Sequence, residues 1–290
     1  MMDDDIFHVD KKNTRKIKFN EKQVQYIRKL YIEDKMSSQK IGKLFNVSPP
    51  TIQKILRELG IIRSVGKSNT KYKQNNDYFK IIDTEDKAYW LGFIYADGYI
   101  TKNNQLRINL QIKDENHLVK FYKFIESDRE VKYTKKISGN KIYYGCYAYI
   151  ANTDFTKHLI SKGCTNNKSL NLKFPTYDIV PKDLIYHFIR GYFDGDGSIF
   201  VSRIDKNTNH KYIKINFTGT YDMILNIRTH LNCNNIKLEN KGNFYVLSIN
   251  GNHQVFNILD NYIYKDATIY LDRKYEKYRK FKELYLYGLL

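Results

Sequence analysis

Leu91-Gly-Phe-Ile-Tyr-Ala-Asp97-Gly-Tyr-Ile100 and Arg190-Gly-Tyr-Phe-Asp-Gly-Asp196-Gly-Ser-Ile199 are two forms of one stretch, set 99 residues apart. Each reads as an apolar helix with small residues four apart, Gly92 and Ala96 in the first and Gly191 and Gly195 in the second. That spacing strips one side of a helix of bulk and lets another backbone approach. The helices should end at Asp97 and Asp196, with Gly98 and Gly197 expected in the left-handed conformation that closes a helix. Packed small face to small face, two such helices bring the carboxylates together at one end. Hard oxygen donors so placed suit a divalent cation.

The pattern around the stretch repeats as well. After the first copy, alternating segments over 99–101 and 105–112 predict a hairpin around Lys-Asn-Asn, followed by a helix through Leu118, Phe121, Tyr122 and Ile125. Strands near 130–137 and 141–150 and a helix over 152–162 come next. The second copy runs in the same order: helix 181–196, strands 198–205 and 211–219, helix 221–231, strands 235–240 and 243–250, helix 252–262, then a closing basic helix over 269–284. The expected fold is α+β: two pseudo-symmetric αββαββα units, 78–180 and 181–290, each with a curved antiparallel sheet and with the motif helices at their junction.

Ahead of these units, residues 1–19 lack periodicity and read as a tail. Asn20 is a good N-cap for a helix through Val24, Ile27, Leu30 and Tyr31; Ser37 and Ser38 cap a second, and Ser48-Pro49 opens a third that Gly60 stops. Three short helices with a tight turn over Asn46 and Val47 resemble a helix-turn-helix, 20–62. Its third helix would enter a major groove, presenting Pro50, Thr51, Gln53, Lys54 and Arg57. The polar, basic stretch 63–77, with Arg63 and Lys67, reads as a linker able to follow a phosphate backbone.

Composition narrows the partner. The chain has 49 Lys and Arg against 31 Asp and Glu, a formal net charge of +18, which points to a polyanion. Residues 11–80 alone hold 18 basic against 5 acidic side chains, a net of +13. No basic amphipathic helix with a bulky apolar face stands out, so nucleic acid is favoured over a membrane surface. Alternation places Gln105, Arg107, Asn109 and Gln111 on the polar face of the first sheet, and Ser202, Lys211, Lys214 and Asn216 are grouped on that of the second. No apolar run reaches the roughly 18 residues of a membrane span. Cys146, Cys164 and Cys233 have no paired spacing. A reducing, cytoplasm-like or organelle-matrix compartment with access to DNA, and no secretion, is the expectation.

The octets Leu-Gly-Phe-Ile-Tyr-Ala-Asp-Gly and Arg-Gly-Tyr-Phe-Asp-Gly-Asp-Gly resemble the paired signature of the LAGLIDADG homing endonucleases over roughly 78–290. Lys168-Ser169 with Phe174-Pro175, and Ala267-Thr268 with Leu271, Arg273 and Lys274, also look like that family. The resemblance implies a single-chain monomer that cuts both strands of a long, specific DNA site. It implies that Asp97 and Asp196 bind Mg²⁺ or Mn²⁺, with the carbonyls of Ala96 and Gly195 as further candidate ligands, and that Lys168 and Lys274 lie near the scissile phosphates. Gln111 and Asp114 are weaker candidates for positioning water. Where the family often has an earlier acid, this chain has Tyr95 in one copy and Asp194 in the other. Two residues back is about 200° around a helix, so that position should serve packing rather than metal binding. His117, His158 and His187 are expected in core or surface roles. A catalytically inactive DNA-binding regulator and an RNA-splicing maturase are the alternatives the same scaffold allows.

Overall fold

The computed structural model describes residues 7, 19–61, 72–165, 171–203 and 211–289. Two compact units divide the chain, 1–71 and 72–290, each with its own apolar core. The first contains α1 (Glu21–Ile32), α2 (Ser38–Leu44) and α3 (Pro49–Glu58) around Ile27, Ile41, Phe45, Ile52 and Leu56. Asn20 and Gln23 form a reciprocal capping box on α1, and Ser37 caps α2 by accepting from the Lys40 N–H. The turn between α2 and α3 is tight because Gly42 lies against the Val47 carbonyl, where a Cβ would sit 2.7 Å away. Asn46 takes the left-handed conformation (φ 49°) that the reversal requires.

The second unit repeats one order of elements twice. Its first half is α4 (Glu85–Asp97), β1 (Gly98–Ile100), β2 (Leu106–Gln111), α5 (Glu115–Phe124), β3 (Lys132–Ser138), β4 (Lys141–Ile150) and α6 (Thr153–Ser161). Its second half is α7 (Ile185–Asp196), β5 (Ser198–Arg203), β6 (Lys211–Gly219), α8 (Tyr221–His230), β7 (Glu239–Asn240), β8 (Tyr245–Asn250) and α9 (Asn252–Ile258), extended by a π-helical turn over Leu259–Ile263. The basic helix α10 (Asp272–Leu286) follows. Both sheets are antiparallel, in the orders β1-β2-β4-β3 and β5-β6-β8-β7. The αββαββα expectation is therefore met in both halves. Residues 72–77, expected as linker, are instead tied to the second unit. Asn75 N–H donates to the Ile125 carbonyl, the Asp128 N–H to that of Lys73, and Arg129 stacks on Tyr72.

The junction of the halves is α4 against α7, and the small residues decide it. A methyl group on Gly92 would lie 2.0 Å from the Phe188 carbonyl oxygen, and one on Gly191 1.9 Å from that of Tyr89. One on Gly195 would lie 2.2 Å from the Ala96 Cβ. The backbones touch where those methyls would be.

Gly98 and Gly197 depart from the left-handed expectation. Both are extended (φ −80°, ψ 152° and φ −82°, ψ 166°), because each helix passes directly into the first strand of its sheet. Glycine is needed there for space: a Cβ would fall 2.8 Å from the Ile94 carbonyl oxygen at 98 and 2.5 Å from that of Phe193 at 197.

Gly92→Ala or Gly191→Ala is expected to cost about 3 kcal/mol through overpacking against backbone. For a unit of this size, that corresponds to a fall of about 6–12 °C in the melting temperature, read by calorimetry. Variants that melt with the parent would show that the two helices separate freely.

Candidate active site

The helix pair delivers its two terminal acids to one place. Asp97 is half-buried and Asp196 exposed. The Asp97 carboxyl carbon lies 3.5 Å from where a Gly195 Cβ would stand. Both carboxylates also act electrostatically on the Lys274 ammonium and the Tyr192 hydroxyl. Among the described residues, no three His, Cys, Asp or Glu side chains gather as a ready-made ligand shell. Two acids at the end of a helix pair, rather than a closed cage, fit a cation that keeps water and takes further oxygens from a substrate.

Lys274 lies at the foot of this pair, buried in the second unit. Its ammonium donates to the carbonyls of Phe193 (2.6 Å), Asp194 (2.7 Å), Gly195 (3.2 Å) and Gly197 (2.5 Å). A positive charge at the C-terminus of α7 satisfies carbonyls that no later turn can reach and offsets the negative end of the helix dipole. Burial pushes its pKa down to about 8 against the pull of Asp194, Asp97 and Asp196. The Gly195 carbonyl, a candidate metal ligand from sequence, thus already faces an ammonium. Lys168, its counterpart from sequence, lies outside the described residues, as do Ser169, Arg63 and Lys67.

The earlier position of each motif holds structure together. Asp194 is buried and accepts from the Tyr89 hydroxyl (2.7 Å), the Tyr264 hydroxyl (2.9 Å) and the Leu271 N–H (2.7 Å). Burial raises its pKa, while Lys274 and these three donors oppose the rise. Its opposite number, Tyr95, donates to the Lys162 carbonyl just beyond α6. A carboxylate in one half and a phenol in the other perform one task, tying the motif helix to the chain that leaves the last helix of its own half.

Several of the groups that fix the site escape a reading of the motif alone. Arg190, which replaces Leu91 of the first copy, is buried and donates to Glu85 (2.6 Å) and to the Ile269 carbonyl (2.9 Å). Glu85 also accepts from the Thr268 N–H (3.0 Å), so this cluster joins the start of α4 to α7 and to the loop before α10. A cation where the first copy has a leucine is the signal that a partner had to exist. Asp114, a candidate for positioning water, is buried and held by Arg273 through the Nε and Nη2 edge of its guanidinium (3.1–3.3 Å). That bond anchors α10 to the first half, and it commits the carboxylate to structure. The histidines have protein partners too: His117 with Tyr89 (3.1 Å), His158 with Asp77 (3.1 Å) and His187 with Arg190 (3.0 Å). Burial holds His117 well below its ordinary pKa and hence neutral.

On the sheets, Asn109 and Gln111 are exposed and Gln105 and Arg107 half-buried, alternating with Leu106 and Ile108 in the core. Lys214 and Asn216 alternate in the same way with Ile213, Ile215 and Phe217. Position 211 pairs with Arg203, in the register of Ile213 and Ile215, so strand alternation separates it from Lys214 and Asn216, with which the sequence reading grouped it. The side chains of Ser202 and Lys211 lie outside the described residues. In the first unit, Lys54 and Arg57 are exposed and Thr51 half-buried on α3, while Gln53 reaches back to the Ser38 hydroxyl (3.4 Å). No described helix is long and apolar enough to cross a membrane.

Residues 189–285, opening on the second motif, match the family model of the LAGLIDADG endonuclease. The first LAGLIDADG-like motif, ending in Asp97, precedes the matched stretch. Among solved structures, the chain is similar to the meganuclease I-SmaMI bound to uncleaveable DNA (13% identity, TM-score 0.48, covering 70% of this chain and 91% of that one). It is also similar to the LAGLIDADG meganuclease I-AabMI bound to uncleaved DNA (14% identity, TM-score 0.44, 69% and 91%) and to the LAGLIDADG homing endonuclease I-LtrWI bound to target DNA (11%, 0.43, 72% and 91%). No curated protein matches the sequence.

The two acids of the second LAGLIDADG motif should separate in a melting experiment. Asp194→Asn, which turns an amide toward three donors, is expected to cost about 1–3 kcal/mol. Asp196→Asn at the exposed end is expected to stay within about 0.5 kcal/mol of the parent. The opposite ranking would reverse the roles assigned to the two positions.

Proposed function

We propose that the protein is a site-specific double-strand DNA endonuclease that hydrolyses one phosphodiester in each strand. The observation that carries this reading is the packing of α4 on α7, which presents Asp97 and Asp196 at one end of a two-fold pseudo-symmetric pair. Duplex DNA has the same two-fold relation between its strands, so one chain with two halves can address both without a partner subunit. The protein would act as a monomer.

Asp97 and Asp196 would hold Mg²⁺ or Mn²⁺ by their carboxylate oxygens, and the bound cation supplies charge neutralisation at the phosphate and an activated water. Lys274 acts in this scheme as a positioning residue: by bonding four carbonyls at the end of α7 it fixes where the Asp196 backbone stops. Lys168 is proposed for the corresponding place in the first half. Arg107, Asn109, Gln111, Gln105, Lys214 and Asn216 on the sheet faces would contact the duplex. Unit 1–71, with Lys54 and Arg57 exposed on α3, is proposed to act as a helix-turn-helix that adds phosphate contacts.

Asp97→Asn and Asp196→Asn are each expected to lose double-strand cleavage of the cognate site in Mg²⁺, as EDTA should in the parent, while retaining DNA binding by gel shift. Cleavage at the parental rate in both variants would place the reaction elsewhere. A protein that binds its DNA but never cuts it is a regulator; one that promotes splicing of an RNA and leaves DNA intact is a maturase. Truncation to residues 72–290 is expected to weaken DNA binding and flatten its salt dependence, by about 0.9 in the log–log slope for each phosphate contact removed. An unchanged slope would remove the first unit from the DNA interface.

A further inference from the structure

Arg107 is the one arginine on the polar faces of either sheet's described positions, and it is held in place. It sits on β2, an inner strand, directly opposite Tyr99 on β1 and Tyr149 on β4. Its guanidinium lies 4.4 Å from the centre of the Tyr147 ring and 5.9 Å from that of Tyr149, and one edge donates to the Tyr99 hydroxyl (3.5 Å). The Nε of this fork is buried and has no hydrogen-bond partner among the described residues. Stacking on tyrosine fixes the plane of a side chain that otherwise spends rotamer entropy on every contact it makes.

The setting separates this arginine from a general phosphate binder. Phosphate contacts need only a mobile point charge, and the sheet supplies those elsewhere, in Lys132, Lys135, Lys136 and Lys141 on the exposed β3–β4 hairpin. Arg107 is flanked along its strand by the neutral amides of Gln105, Asn109 and Gln111. A planar fork among neutral donors and acceptors matches the O6 and N7 edge of guanine in a major groove, which takes two parallel hydrogen bonds from arginine.

The other half carries a different group at the equivalent place. Tyr99, two residues after Asp97, pairs with Arg107; Ser198, two residues after Asp196, pairs with Asn216. The two positions stand at the same remove from the two acids. The Asn216 amide oxygen, like the Arg107 Nε, is buried and has no hydrogen-bond partner among the described residues. Asparagine offers one donor and one acceptor, a match for adenine and a mismatch for guanine.

We infer that Arg107 reads a guanine in the half-site bound by the first repeat, held for that purpose by Tyr99, Tyr147 and Tyr149, and that the half-site bound by the second repeat lacks this preference because Asn216 stands in its place. The inference rests on the proposed action on a specific DNA duplex. It makes the target asymmetric at one pair of positions equidistant from the two cuts.

The test is selection by the full-length chain from a pool of randomised DNA duplexes, followed by single-base substitution in the enriched site. The parent should prefer guanine about 10- to 100-fold at one position of one half-site. Arg107→Gln should abolish that preference there and leave the other positions unchanged. Arg107→Lys, which keeps the charge and loses the fork, should relax it as well. Tyr147→Leu should weaken it while preserving the fold, checked by thermal melting. A uniform loss of binding across all sequences with a shallower salt slope would make Arg107 a phosphate contact and overturn the inference. So would an unchanged base profile in Arg107→Gln. A parent that enriches no sequence at all would overturn the functional reading and this inference together.

Discussion

The contact between α4 and α7 is the constraint on which the second unit depends. Two helix backbones meet at Gly92 and Gly191 within a distance that no side chain tolerates, and Gly195 meets Ala96 one turn further on. Close approach strengthens dispersion between the helices but removes the side chains that would otherwise set their rotation and offset. Those degrees of freedom are fixed from the outside. Tyr89 reaches Asp194, Glu85 reaches Arg190, and Arg273 reaches Asp114, and each of these bonds crosses between the halves. Sliding of the helices would part Glu85 from the buried Arg190 and take one of the three donors of Asp194, at about 1–3 kcal/mol for each buried group left short of a partner. The apolar contact brings the helices together, and the buried polar bonds determine the register in which they stop.

That division bears on the acids at the end of the pair. A carboxylate that works on a phosphate must be accessible, yet its neighbours must not move. Asp196 is exposed while Asp194, two residues earlier, is buried among three donors. Half a helical turn separates an acid open to solvent from one sealed in the core. Lys274 completes the arrangement by bonding the last carbonyls of α7, so the final turn has no freedom to fray. The direct passage of each helix into its first strand does the same from the other side, since Gly98 and Ser198 are already paired in a sheet.

Much of this was legible in the residues. The period-four small residues gave the helix contact, and the period-two alternation gave all the strands, with β7 shortened to Glu239–Asn240. The last acid of each octet was legible because nothing apolar needs it. What escaped were relations between residues distant in sequence. The glycines after the acids suggest a left-handed cap when the helix is considered alone; only the strand that follows, and the Ile94 and Phe193 carbonyls beneath them, show that space is the requirement. Asp114 at a strand end suggests a water-positioning acid until Arg273, 159 residues later, is seen to claim it. Position 211 was separable by parity from Lys214 without any structure, and the grouping of the two followed charge where it should have followed alternation.

The two halves are alike in backbone and unlike in the side chains that carry information. Tyr95 and Asp194 do the same work with different chemistry because either can bond to the chain leaving its half: a phenol finds a carbonyl, a carboxylate finds N–H and O–H donors. Substitution is free there provided the partner changes too. On the sheet faces, Arg107 and Asn216 occupy matching positions with different side chains. A fold built by repetition thus keeps its symmetry where the halves must fit one another and is free to lose it on the sheet faces. On the proposed action on a DNA duplex, that is the physical route from a symmetric cleavage centre to an asymmetric site.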